Sequence, residues 1–137
     1  MIVIDTSAIL AFMNRGDSHH EALAAWFDQL EEVPATTPLV LAELDHLVTR
    51  RGGTAASRAL RDDLAAGAYA VEWWPGAVAD VVAIAGEHAH IGLTDASLVA
   101  LAARLRTIEI ATLDERHFRA IKPLTGEPAF ALLPADA

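Results

Sequence analysis

Four acidic residues stand beside or within apolar segments of this sequence: Asp5, Glu43, Asp95 and Asp114. Carboxylates gathered in a crevice of low dielectric repel one another and their pKa values rise, so a shared acidic pocket is costly unless a cation fills it. Oxygen donors of this hardness suit Mg²⁺ or Mn²⁺, which keep several waters and bind through a few carboxylates together with substrate phosphate. A cation so held lets a water lose its proton more easily and stabilises charge on phosphorus and on the leaving oxygen of an in-line displacement. The chemistry such a set points to is hydrolysis of a phosphodiester by metal-activated water, without a Ser, Cys or His nucleophile.

Taken singly, some of these acids have ordinary explanations. A carboxylate such as Asp95 in the first turn of a helix is stabilised by the macrodipole. Asp114, followed by Glu115, suits the cap of the short segment that ends at Phe118. Glu43 is odder, because it continues the run Leu39-Val40-Leu41-Ala42 where a core residue is expected. Asp5 is the oddest, following the buried-strand types Ile2, Val3 and Ile4.

The elements that must position them are read from periodicity and punctuation. Ile2–Ile4 predicts a buried strand that turns at Asp5-Thr6-Ser7 into a helix. Ser18-His19-His20-Glu21 matches a capping box, and Leu23, Trp26, Phe27 and Leu30 recur at helical spacing to about Glu32. Val33–Thr37 predicts a second strand, and Pro38 opens a helix that Gly52-Gly53 stops near Arg50. Thr54 caps another helix, which Gly67 ends. Ala70–Trp74 predicts a third strand, broken by Pro75-Gly76, with a helix carrying Val78, Val81, Val82 and Ala85 after it. Thr94 caps the next helix, and Ile108–Thr112 follows as a strand ending just before Asp114. Ala129–Leu133 is a candidate last strand. This alternation argues for an α/β fold with a mostly parallel sheet covered on both faces. In such a sheet, strand ends and helix beginnings meet at one edge, where ligands bind, and the four acids all fall there.

At 137 residues, 53% of them hydrophobic, the chain suffices for one domain with a well-filled core. Cysteine is absent, which excludes a disulfide framework, a zinc-thiolate site and thiol catalysis. The initial apolar run is too short for a signal peptide and no stretch reaches membrane-spanning length, so a soluble, cytoplasmic protein without membrane partners is expected. A formal net charge of -9 speaks against phosphate binding unless the charges are segregated. They are: Arg50, Arg51, Arg58 and Arg61 form one basic group, and Arg104, Arg106, Arg116, Arg119 and Lys122 another. The plain alternative is that these side chains form a solvated surface.

The order and spacing of Asp5-Thr6-Ser7, Ala42-Glu43-Leu44, Thr94-Asp95-Ala96 and Thr112-Leu113-Asp114 resemble the PIN domain and, more narrowly, the VapC toxins of bacterial type II toxin-antitoxin pairs. The resemblance spans nearly the whole chain. It implies a single PIN domain over residues 1–137, a PIN-like three-layer α/β/α sandwich, and a Mg²⁺- or Mn²⁺-dependent endoribonuclease. It further implies a homodimer and a cognate VapB-like antitoxin that masks the active site in a heterocomplex and alone contacts DNA. Carried over residue by residue, Asp5 and Asp95 are the principal metal ligands, with Glu43 and Asp114 completing the pocket directly or through water. Thr6, Ser7 and Thr112 flank the acids, where hydroxyls orient a carboxylate or bind phosphate; Thr112 also suits an ordinary strand position.

Other signals are weaker. His88-Ala89-His90 follows a helix and precedes Gly92, where a polarisable side chain suits the C-terminal end of the dipole better than a metal site lacking further ligands. Trp73-Trp74 before Pro75 reads as core and rim packing rather than a base-stacking platform. Asp17, His19 and His20 read as capping and surface residues, His20 at the border of the crevice. Two other functions compete with the ribonuclease. One is another metal-dependent phosphotransfer or phosphatase enzyme with an Asp after its first strand; Ser7 where a dehalogenase-type protein needs Asp, and Lys122 as the only lysine, disfavour it. The other is a catalytically silent module of the same fold that binds RNA or protein, which the intact set of four acids disfavours.

Overall fold

The computed structural model describes residues 1–137. Its elements follow in the order β1 (Val3–Ile4), α1 (Thr6–Met13), α2 (His20–Asp28), β2 (Ala35–Thr36), α3 (Pro38–Ala65), β3 (Ala70–Val71), α4 (Ala77–Glu87), α5 (Leu93–Leu105), β4 (Glu109–Ala111), α6 (Glu115–Arg119) and β5 (Ala131–Leu133). The five strands form one sheet in the order β3-β2-β1-β4-β5, and every pairing is parallel. Parallel neighbours need crossover connections, and the intervening helices supply them.

Successive strand residues point to opposite faces of a sheet. Val3 and Ile4 are both fully buried, as are Ile110 and Ala111, so helices cover both faces of the central strands. The expected α/β/α sandwich is the observed architecture. The apolar core runs continuously from Ile2 through Leu23, Val40 and Leu44 to Leu98, Leu101, Phe118 and Leu132. No helix is long and apolar enough to cross a membrane.

The strand order explains where a site can form. From β1 the chain moves outward to β2 and β3, then returns to lay β4 against the other side of β1. The crossovers from β1 and from β4 therefore diverge, and a crevice opens beyond the carboxyl ends of these two strands. Asp5 follows β1 and Asp114 follows β4, so both flank that crevice. α5 leads through a short turn into β4, which places its beginning, with Asp95, at the same edge. α3 follows β2 directly and brings Glu43 there in its second turn.

Several local expectations need correction. The capping box at Ser18 does not form: His19 is the N-cap of α2 without a side-chain cap bond, and Asp17 instead accepts the His19 N–H at 2.8 Å. Asp17 wins because its carboxylate reaches a backbone donor two residues on, a local turn that competes with the longer capping geometry. Gly92, not Thr94, is the N-cap of α5, so Thr94 lies inside the first turn. α3 is one element, but Gly53 at φ 70° breaks it where a stop was expected, and Thr54 lies just past the break. The two arms fold back on each other. Arg61 Nη2 lies 3.5 Å from Asp45 Oδ1, a contact that a straight helix, rising about 24 Å over that separation, forbids.

Candidate active site

Asp5 is both the end of a strand and the N-cap of a helix. Its backbone is extended, its N–H continues the β1–β4 ladder to Ala111 O at 2.9 Å, and its Oδ1 accepts the Thr6 N–H at 2.7 Å. The carboxylate is 4% exposed, so its second oxygen depends on protein donors. Ser7 Oγ supplies one at 3.0 Å and Thr112 Oγ1 another at 2.9 Å. Each of these hydroxyls also accepts a backbone N–H, Ser7 from Leu113 and Thr112 from Asp114, both at 2.9 Å. The loop after β4 is thus tied to Asp5 through two side chains, and each hydroxyl uses both its donor and its acceptor capacity. Thr6 differs from its neighbours: its buried hydroxyl has no partner.

The remaining acids lie in the same crevice, about 440 Å³ in volume and lined by Asp5, Glu43, Asp95 and Asp114 among others. Glu43 is exposed while Val40 and Leu44 on its helix are buried, which explains why an acid continues an apolar run: it sits on the crevice side of α3. Asp95, in the first turn of α5, is half-buried. Asp114 is the N-cap position of α6 but makes no side-chain cap bond, so its carboxylate is free for the crevice. All four acids expected from the sequence are brought together.

Their electrostatics show strain of the kind a cation relieves. Burial pushes the Asp5 carboxyl up to about 6, and the Asp95 charge adds to the rise, against the hydroxyl bonds of Thr112 and Ser7 and the backbone bond of Thr6. Asp95 is also raised, by burial first and by the charges of Asp114 and Glu43, while His117 holds it down. Four carboxylates sharing one half-closed crevice are a donor set suited to a hard divalent cation, and the residues fit one.

Three further residues line the crevice: Asp17, expected as a capping residue, Arg51 of the first basic group, and His117, which was not singled out from the sequence. Asp17 and Arg51 stand at its rim. His117 projects into it, with Nδ1 2.8 Å from both Asp95 Oδ2 and Asp114 Oδ2. The spacing Asp114-x-x-His117, which puts both side chains on one face of a helical turn, was the available signal. His20 is not at the crevice: its Nδ1 meets Ala11 O at 3.1 Å and its ring stacks near Phe12. Trp74 is buried, donates to Asp80 and lies under Arg104, whereas Trp73 is exposed at the rim. Arg119 is held by Asp136 and Glu115. Two members of the later basic group are therefore engaged within the protein.

The PIN domain pattern matches residues 2–123. The chain is 38% identical over 128 residues to Ribonuclease VapC26 of Mycobacterium tuberculosis strain H37Rv, covering 91% of this chain and 95% of that protein. It is 33% identical over 116 residues to Ribonuclease VapC29 of the same species, strain CDC 1551 / Oshkosh, covering 82% and 85%. Among solved structures it resembles Mycobacterium tuberculosis VapC20, described as a toxin that cleaves the sarcin-ricin loop, with a TM-score of 0.76 at 23% identity, covering 83% of this chain and 90% of that one. It also resembles a chain of a toxin-antitoxin complex from Klebsiella pneumoniae, with a TM-score of 0.66 at 17% identity, covering 90% and 94%. At such identities these two structures speak for the fold alone.

Proposed function

The chain belongs to the PIN-domain family, among its VapC ribonucleases, and from that premise we propose that it is the toxin of a type II toxin-antitoxin pair, an endoribonuclease that hydrolyses RNA phosphodiester bonds. The observation that carries this reading is the convergence of Asp5, Glu43, Asp95 and Asp114 in one crevice at the switch point of the sheet. A single PIN domain over residues 1–137 houses the whole site. The protein works in the cytoplasm with RNA as substrate and a cognate VapB-like antitoxin as inhibitor, and it pairs as a homodimer.

Asp5 and Asp95 are the principal ligands of Mg²⁺ or Mn²⁺, with Glu43 and Asp114 completing the set. When bound, such an ion supplies Lewis acidity toward the phosphate and a water of lowered pKa. The chain's own residues do the rest. Ser7 and Thr112 hold Asp5 in one orientation, so no rotamer search precedes binding. Arg51 at the rim offers a guanidinium to a phosphate entering the crevice.

Metal-depleted protein should leave RNA intact, and Mg²⁺ or Mn²⁺ should restore cleavage. Asp5→Asn and Asp95→Asn should lose cleavage while keeping a cooperative thermal transition. Full cleavage by the metal-depleted protein, or by either variant, would overturn the reading.

A further inference from the structure

We propose that His117 is a direct ligand of the catalytic cation, binding through Nδ1 beside Asp95 and Asp114, and that this nitrogen biases the pocket toward Mn²⁺ over Mg²⁺. The inference rests on the ribonuclease reading of the crevice and adds to the acidic set a donor of a different chemical kind.

Geometry carries it. One oxygen of Asp95, one of Asp114 and Nδ1 of His117 all lie within 4.8 Å of one another. Nδ1 stands 2.8 Å from each carboxylate oxygen. Only the contact to Asp95 has the alignment of a hydrogen bond. A nitrogen carries at most one proton, so a shared hydrogen explains the approach of Asp95 and leaves that of Asp114 without a bridging donor. Donors sharing a six-coordinate ion with bonds near 2.1 Å stand about 3 Å apart, so one cation accounts for both approaches.

The ring is held for this role. Phe118, the next residue, is fully buried and anchors α6. Arg119 ties the same helix to Glu115 within it and to Asp136 beyond β5. His90 Nε2 lies 3.3 Å from the His117 carbonyl, and its ring packs 5.9 Å from the His117 ring. On binding the cation, the imidazole would give up the hydrogen it shares with Asp95, carry its proton on Nε2 and offer the Nδ1 lone pair to the ion. A site of oxygen donors alone suits Mg²⁺, whereas an imidazole nitrogen strengthens binding of Mn²⁺ and later transition ions.

The test uses Mn²⁺ as its own probe. In the Mn²⁺-loaded full-length protein, pulsed electron paramagnetic resonance should show modulation from a directly bound ¹⁴N, and His117→Asn, folded by its thermal melt, should lack it. Calorimetric titration should show Mn²⁺ affinity falling roughly tenfold or more in His117→Asn and His117→Gln, as loss of even an outer partner of a metal ligand does. Mg²⁺ affinity should fall less. Mn²⁺ bound without nitrogen coupling, coupling that survives His117→Asn, or equal losses for both ions would overturn the proposal and make His117 a positioning residue. If that protein still cleaves RNA, the ribonuclease reading stands. If wild type binds no Mn²⁺ and cleaves no RNA, both fall.

Discussion

The hydroxyl of Thr112, one residue past β4, donates to Asp5 Oδ2 at 2.9 Å across the gap where the sheet reverses its order. The same oxygen accepts the Asp114 N–H at 2.9 Å, so Thr112 links two acids that lie 109 residues apart in the chain. Thr112→Val keeps the volume and removes both bonds. A hydrogen bond to a charged group contributes about 1.5–3 kcal/mol, and loss of an outer partner costs about 10–100-fold in metal affinity or activity. We expect Thr112→Val to lose both stability and cleavage within these ranges, and Thr112→Ser to recover most of each. Denaturant melts and metal titration check this; a valine variant with unchanged metal affinity would assign Thr112 to strand packing.

Burial that raises the Asp5 carboxyl to about 6 has a definite sign in the metal-free protein. The folded state then holds the proton more tightly than the unfolded chain, where the carboxyl titrates near 3.8. Below that value both states are protonated and the group costs nothing. As pH rises from about 4 through about 6 the unfolded state gains by ionising first, and stability falls by about 3 kcal/mol. Asp5→Asn cannot ionise, so its stability relative to wild type should rise over this window in chelator and level off above it. Urea titrations of both proteins at several pH values measure the difference, and saturating Mn²⁺ should shrink or reverse it. A difference independent of pH would mean that Asp5 is not strained by burial.

The fold was legible because its signals are local. Ile2–Ile4 and Ile108–Thr112 declared themselves as strands by β-branched runs, Pro38 as a helix start, and Gly52-Gly53 as a break that the positive φ of Gly53 confirms. The expected caps at Ser18 and Thr94 fail for different reasons: Asp17 accepts the His19 N–H in a competing local turn, whereas the N-cap of α5 lies two residues before the expected one, at Gly92, without any side-chain cap bond. The convergence of the four acids followed from parallel topology, which fixes the edge at which every strand ends. His117 was legible only in part: the Asp114-x-x-His117 spacing pairs it with Asp114, but its contact with Asp95, which comes from another helix, depends on how α6 packs. His20 failed for the converse reason: proximity in sequence to a crevice residue, Asp17, did not survive the turn into α2, which points the ring at Phe12.

Among the basic residues, the structure separates two groups that composition left equal. Arg104 lies over Trp74 and Arg119 is clamped by two carboxylates, whereas Arg51 faces the acidic crevice and Arg50 shares a nearby surface hollow with Arg61. Charge that touches phosphate reveals itself in salt dependence, by about one unit of slope in log K against log salt for each contact. Arg51→Gln should therefore weaken RNA binding and flatten the slope by roughly one unit, with Arg50→Gln and Arg58→Gln adding to it. Arg119→Gln should leave the slope unchanged and cost some stability instead. Fluorescence anisotropy with a labelled RNA over a salt series measures both; equal slopes for wild type and Arg51→Gln would assign Arg51 to the solvated surface.

The antitoxin expected of a VapC-type partner must silence a crevice that is strongly acidic and open to solvent. A guanidinium is the side chain best matched to paired carboxylates, and placed between Asp5 and Asp95 it would take the position of the cation or block the phosphate. That contact alone is weak, because an exposed ion pair contributes only about 0–1 kcal/mol. The bulk of the affinity must come from apolar burial, and a groove lined by Leu10, Met13, Val48, Ala56 and Ala59 adjoins the crevice, sharing Leu10, Asp17 and Arg51 with it. Two effects should then separate. Replacing the antitoxin arginine by Ala should release ribonuclease activity more than it weakens the complex, while Ala59→Asp on the exposed wall of the toxin's groove should weaken the complex strongly. Calorimetry of the complex together with cleavage of a fluorogenic RNA distinguishes them. An arginine-free antitoxin that still binds and still inhibits fully would replace the plug with simple steric covering of the RNA path.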